Sequence, residues 1–146
     1  MFPSESGAWA VIYCPRTQTF LFGKRSSAVN KAGAWNLFGG RLDGDEAPVG
    51  GLIRELEEEA GIYISPEQLS ELACLSRFRS KDANIRRDLY YFALRMDSSF
   101  IPTLNYEHSE YQWFRLDELP LRVNSPTRLA LEAHLLERAQ AACTPP

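Results

Sequence analysis

Long apolar runs are missing from this sequence. No stretch approaches the roughly 18 consecutive apolar residues that a bilayer-crossing helix needs, so no membrane partner is expected. The first residues, MFPSESGAWAVIYC, have neither a basic n-region nor a long apolar h-region, which argues against a secretory leader. Cysteine is scarce: Cys14, Cys74 and Cys143 are odd in number and far apart. That pattern excludes a disulfide framework and suits reduced thiols in a cytoplasmic protein. Positive charge is not in excess either. Sixteen Lys and Arg against 19 Asp and Glu leave a net charge of −3, which argues against a general nucleic-acid binder. Repeats, low-complexity tracts and linkers are absent. What remains is ordinary globular composition, 45% hydrophobic and 24% charged, in 146 residues. This is enough for one domain over residues 1–146 with a proper core.

What is present is a concentration of carboxylate. Residues Gly40 to Ile62 read GRLDGDEAPVGGLIRELEEEAGI. A helix turns about 100° per residue, so residues three and four apart are surface neighbours. On that spacing Val49, Leu52, Ile53, Leu56 and Ala60 form an apolar stripe, and Glu55 lies beside Glu58 and Glu59. Glu57 falls on a different face and reads as solvated. Like charges so placed destabilise an isolated helix by roughly 0.2–0.5 kcal/mol per pair. Two readings stand at this point. One is a solvated acidic face; the other is a seat for a hard divalent cation, bound by carboxylates together with substrate phosphate oxygens.

The flanks frame the helix. Trp35-Asn36-Leu37-Phe38 reads as a strand that stops at Gly39-Gly40, where the backbone needs glycine's freedom. A loop Arg41 to Asp45 leads to Glu46; Pro48 suits the first helical turn and Gly61 a left-handed C-cap, with Ile62 packing back. Gly50 and Gly51, each about 1 kcal/mol worse than Ala inside a helix, suggest close packing of the first turn against the sheet.

This frame resembles the Nudix box: Gly, five residues, Glu, seven residues, Arg-Glu, an aliphatic, any residue, Glu-Glu, any residue, Gly, an aliphatic. Gly40, Glu46, Arg54, Glu55, Leu56, Glu58, Glu59, Gly61 and Ile62 fill every fixed position. One departure is Phe38, where many members carry proline before the glycine pair. The resemblance implies an α/β fold, an α/β/α sandwich around a mixed β-sheet, and hydrolysis of a nucleoside diphosphate linked to another group. It implies Mg²⁺ as cofactor, with Mn²⁺ as the alternative ion. Glu58 and Glu59 would be the central metal ligands, Glu55 a further ligand or proton acceptor, and the Gly39 carbonyl would face the same metal. Arg54 would orient the carboxylates through a charge-assisted hydrogen bond, with Glu46 as its expected partner.

Asn105 to Trp113 resembles the family's late loop, where some members place a catalytic acid or a further ligand; Glu107 is the first candidate and Glu110 the second. His108 enters through a narrower resemblance. GDP-mannose hydrolases of the superfamily use a histidine as base in a similar His-x-x-Tyr-x-Trp setting, and share a Gly-Lys-Arg run (Gly23, Lys24, Arg25) and a Trp ahead of the glycine pair (Trp35). Without that resemblance, a lone histidine in a polar loop reads as surface. Substrate contacts are sought at Lys24 and Arg25, at Arg77, Arg79, Lys81, Arg86 and Arg87, and, for base stacking, at Trp35, Phe22 or Tyr91. Such residues are as readily explained as edge-strand charges and core aromatics. The secondary marks of ADP-ribose, dinucleoside polyphosphate and NADH hydrolases are not evident after the box. A MutT-like nucleoside triphosphate pyrophosphohydrolase therefore leads, with a nucleotide-sugar hydrolase or a non-catalytic nucleotide-binding module as alternatives. A small nucleotide is the expected partner, and a homodimer is left open.

Elsewhere Ala8 to Cys14 and Thr19 to Lys24 read as a hairpin around Pro15 to Gln18, and Ser65 to Gln68 as a turn or short helix start. Leu72 to Arg79 and Arg87 to Met96 read as strands joined by a polar loop Ser80 to Ile85, and Tyr111 to Phe114 as a short strand. Ser125-Pro126 would start a last helix, Thr127 to about Arg138. Strands mixed with two main helices suggest a sheet covered on both faces.

Overall fold

A computed structural model describes residues 4–79 and 82–144. Strand β1 (Ser4–Cys14) is the axis of a seven-stranded mixed sheet. One edge pairs in parallel with β6 (Asp82–Arg95) from Ser4↔Arg86 to Tyr13↔Arg95, and β6 pairs antiparallel with β5 (Leu69–Arg79). The other edge is shared. Near its start β1 pairs with β4 (Phe38–Arg41), and near its end with β2 (Thr19–Arg25). The β1–β2 hairpin is therefore confined to Tyr13↔Phe20 and Cys14↔Thr19, shorter than the sequence pattern suggested. Strand β2 carries β3 (Trp35–Asn36) on one side and β7 (His108–Arg115) on the other.

Period-two alternation along β1 sets the layers. Ala8, Ala10 and Ile12 face one core, with Leu52, Leu56 and Ala60 of α1 (Pro48–Ala60). Trp9, Val11 and Tyr13 face the other, with Ala130 of α2 (Ser125–Glu132) and Leu135, Leu136 and Ala139 of α3 (Leu135–Cys143). This is the expected α/β/α sandwich. The last helix differs from its expected single span. Asn124, rather than Ser125, caps it through Thr127 N–H, and the chain breaks at His134, whose φ of 57° is left-handed, before α3 begins. Strand β7 starts three residues earlier than its aromatic run indicated, at His108. Ser80 and Lys81 lie outside the described residues, and the candidate Lys81 with them. Among the described residues no helix is long and apolar enough to cross a membrane.

Candidate active site

Helix α1 is fixed at both ends by local chemistry. Pro48 occupies its first turn, and Gly61 adopts a φ of 64°, donating its N–H to the Glu57 carbonyl at 3.2 Å while Ile62 reaches back to the Leu56 carbonyl at 3.1 Å. The two interior glycines have different meanings. A Cβ on Gly51 would fall 2.3 Å from the Leu42 side chain, whereas one on Gly50 meets open space. Only at Gly51 would a side chain crowd its surroundings, the Leu42 and Glu46 side chains.

The Gly39-Gly40 pair lies within β4 rather than ending a strand as expected, and it brings β4 against the helix's acidic face. Gly39 has a φ of 142°, and a Cβ there would lie 2.1 Å from the Ala8 carbonyl oxygen, so only glycine fits. Its N–H donates to Glu59 Oε1 at 3.0 Å. A Cβ on Gly40 would lie 3.3 Å from the Glu55 carboxyl carbon. Glu55, Glu59 and Glu107 each offer a carboxylate oxygen, and these atoms lie within 4.8 Å of one another. Glu59 is buried and Glu55 nearly so. Burial pushes the Glu59 carboxyl well above the usual carboxylate range; the Gly39 N–H opposes this, and Glu55 and Glu107 add to it. The Glu55 carboxyl is also raised, first by burial, with Arg54 opposing and Glu58 and Glu107 reinforcing. Three acidic groups so close and so dry favour a shared proton or a cation. An all-oxygen donor set is what a hard divalent ion such as Mg²⁺ or Mn²⁺ requires, so the residues fit that ion.

Arg54 organises the same face. It forms a bidentate pair with Glu46, at 2.8 Å from Nε to Oε2 and 2.9 Å from Nη2 to Oε1, and this pair holds Glu46 down at about 2. The same guanidinium reaches Glu55 at 3.2 Å and Glu58 at 3.4 Å. The expected Arg54–Glu46 contact is thus present. Glu58 differs from its expected central position: its side chain is 55% exposed and turned to Arg54, and it does not join the convergent trio. Glu57 is exposed, as expected for the solvated position. Glu110 pairs with Lys24 at 3.1 Å, away from the trio.

His108 departs most from the sequence expectation. It is 5% exposed, with its ring against Phe38 (centroids 4.9 Å apart) and beneath Gly23, where a Cβ would meet the ring at 2.6 Å. Burial pushes the ring's pKa down to about 4, so at neutral pH it is uncharged. The polar loop read as surface is instead the start of the edge strand β7, whose neighbouring residues are exposed while the His108 ring turns inward.

Among the substrate candidates, Arg25 and Arg87 line one cleft of about 310 Å³ with Arg41, Asn30, Trp9 and Gly7. None of the three carboxylates lines this cleft; its link to them is Arg41, which follows Gly40, with Gly7 as the partner of Arg41 on β1. Arg25 is braced by Asn30, through its side-chain oxygen at 2.5 Å and its carbonyl at 2.7 Å. Arg77 is outside the lining; it projects from β5 opposite Arg87 and bonds the Ser76 carbonyl at 2.9 Å. Trp35 is also outside it, edge-on to Phe114 with centroids 5.0 Å apart. Phe22 and Tyr91 are wholly buried. Trp9 and Arg41 were missed because nothing local distinguishes a cleft-floor Trp from a core Trp. Only the position of Arg41 directly after the glycine pair marked it.

The profile of the NUDIX domain matches residues 3–134, and the chain belongs to that family. It is similar to a MutT NUDIX hydrolase from Burkholderia pseudomallei, with 30% identity over 88% of this chain and 96% of that one and a TM-score of 0.70. A MutT protein from Methanosarcina mazei Go1 shares 25% identity over 97% and 96% of the two chains, with a TM-score of 0.68. At 20% identity, the dihydroneopterin triphosphate pyrophosphohydrolase of E. coli shares the fold over 90% and 95%, with a TM-score of 0.67. A search of curated protein sequences found no match. Family membership and the MutT relatives make this chain a MutT-like Nudix hydrolase, an enzyme of phosphoanhydride bonds.

Proposed function

We propose that this chain is a Mg²⁺-dependent nucleoside triphosphate pyrophosphohydrolase, Mn²⁺ serving as the alternative ion. The observation that carries the reading is the convergence of Glu55, Glu59 and Glu107 beside a cleft lined by three arginines. The convergent carboxylates Glu55, Glu59 and Glu107 would hold the ion with the Gly39 backbone, and Glu58, now turned to Arg54, would join them by swinging inward. When bound, the ion supplies charge neutralisation at the phosphates and acidifies a water. The chain's own residues do the rest. Arg25, Arg41 and Arg87 bind and orient the phosphate chain, Arg54 fixes the carboxylates, and Glu107 or Glu55 accepts the attacking water's proton. Trp9 forms an apolar floor under the cleft.

A product-resolved screen with Mg²⁺ tests the reading against NTPs, 8-oxo-dGTP, GDP-mannose, ADP-ribose, capped RNA ends and dinucleoside polyphosphates. A nucleoside triphosphate should yield monophosphate and pyrophosphate. Preference for GDP-mannose would move the assignment to nucleotide sugars, and silence across the panel would favour a binding module. Glu58→Gln and Glu59→Gln should each lower turnover by at least about 10².

A further inference from the structure

The segment that delivers Glu107 has no helix to hold it, and its anchors are one local bond and three from distant residues. Ser26 donates its N–H to the Glu107 carbonyl at 2.8 Å and its hydroxyl to the Tyr106 carbonyl at 2.6 Å. Asn105 Oδ1 accepts the Glu107 N–H at 3.0 Å. The last anchor is a side chain: His108 Nε2 meets Asn36 Oδ1 at 3.1 Å in the core. The Asn36 amide N–H₂ is committed to the Leu37 carbonyl at 2.6 Å, so its oxygen must face the histidine, and Nε2 must carry the proton. His108 Nδ1 is then a buried lone pair with no hydrogen-bond partner among the described residues.

We infer that Asn36 and His108 are positioning residues: their hydrogen bond ties the Glu107 segment to the strand pair that leads into Gly39, so that Glu107 reaches Glu55 and Glu59. This rests on the metal-site reading above.

The test is a set of variants assayed for folding, Mn²⁺ affinity by calorimetry, and kcat and KM. Asn36→Ala and His108→Phe should weaken Mn²⁺ binding about 10-fold, as loss of groups that orient ligands does, and lower kcat with little change in KM. The double variant should be no worse than either single one, because both remove the same bond. His108→Gln keeps an N–H for Asn36 but cannot act as a base, so it should recover most of the loss with an unchanged pH profile. Ser26→Ala, at an exposed site, repeats the measurement if a core variant does not fold, and should show a smaller defect of the same kind. Unchanged Mn²⁺ affinity in folded Asn36→Ala and His108→Phe would overturn the inference. So would a His108→Gln enzyme as inactive as His108→Phe with a displaced pH profile. A wild-type protein that hydrolyses no nucleotide would defeat the function reading alone, and Mn²⁺ affinity would still decide this one.

Discussion

Two segments build this site in opposite ways. Glu55 and Glu59 stand one turn apart on α1, whose geometry is closed by its own backbone bonds and by the Gly61 cap. Glu107 sits on an irregular segment held by Ser26, by Asn105 and, through His108, by Asn36. The helix half is set by local spacing and is rigid wherever the helix forms. The other half exists only once distant strands have packed, so remote substitutions can displace it.

That contrast can be broken in several places. The largest effect is expected at Glu107 itself: Glu107→Gln should reduce turnover by about 10² in steady-state assays with Mg²⁺, within the range for a lost acid–base group. Loss of less than a few-fold would confine the chemistry to the helix. Next is Arg54→Lys, which keeps the charge but loses the bidentate fork to Glu46. About a 10-fold loss of Mn²⁺ affinity, read by calorimetry, is expected. An acid titration should show a smaller effect. Glu46 is held down at about 2 from an ordinary 4.5, chiefly by its Arg54 hydrogen bond. Its contribution to stability is complete above about 4.5 and is lost as pH falls toward about 2, so Glu46→Gln should flatten the wild-type fall in thermal midpoint across that window. The smallest effect belongs to Glu57→Gln on the exposed helix face. It should leave turnover unaltered and stability within about 0.5 kcal/mol.

The same contrast decides what could be read from the sequence. The helix, its proline start and glycine stop, and the grouping of Glu55 with Glu59 all follow from residue spacing, and the box pattern marked the glycine pair before it. Arg54 and Glu46, eight residues apart, were paired in advance because both belong to that frame. Glu58 shows the limit. Its backbone position was legible, but its side chain follows Arg54 outward, a choice made by a salt bridge rather than by periodicity. The burial of His108 was not legible because its polar sequence neighbours are surface while its own ring is enclosed by Phe38 and Gly23, both far away in the chain. The cleft was hardest to foresee. Arg25, Arg41 and Arg87 come from three strands, and Arg41 and Arg87 are brought together because β1 pairs with β4 on one edge and β6 on the other. The break at His134 had no local signal, since neither glycine nor proline marks it.

The central claim is that the Glu55–Glu59–Glu107 cluster both holds the divalent ion and drives hydrolysis. The direct measurement is Mn²⁺ affinity and nucleoside triphosphate turnover determined side by side for the wild type and Glu59→Gln, with folding checked by circular dichroism. The account predicts that both fall together, turnover by at least about 10². A folded Glu59→Gln protein with near-wild-type affinity and turnover would contradict it.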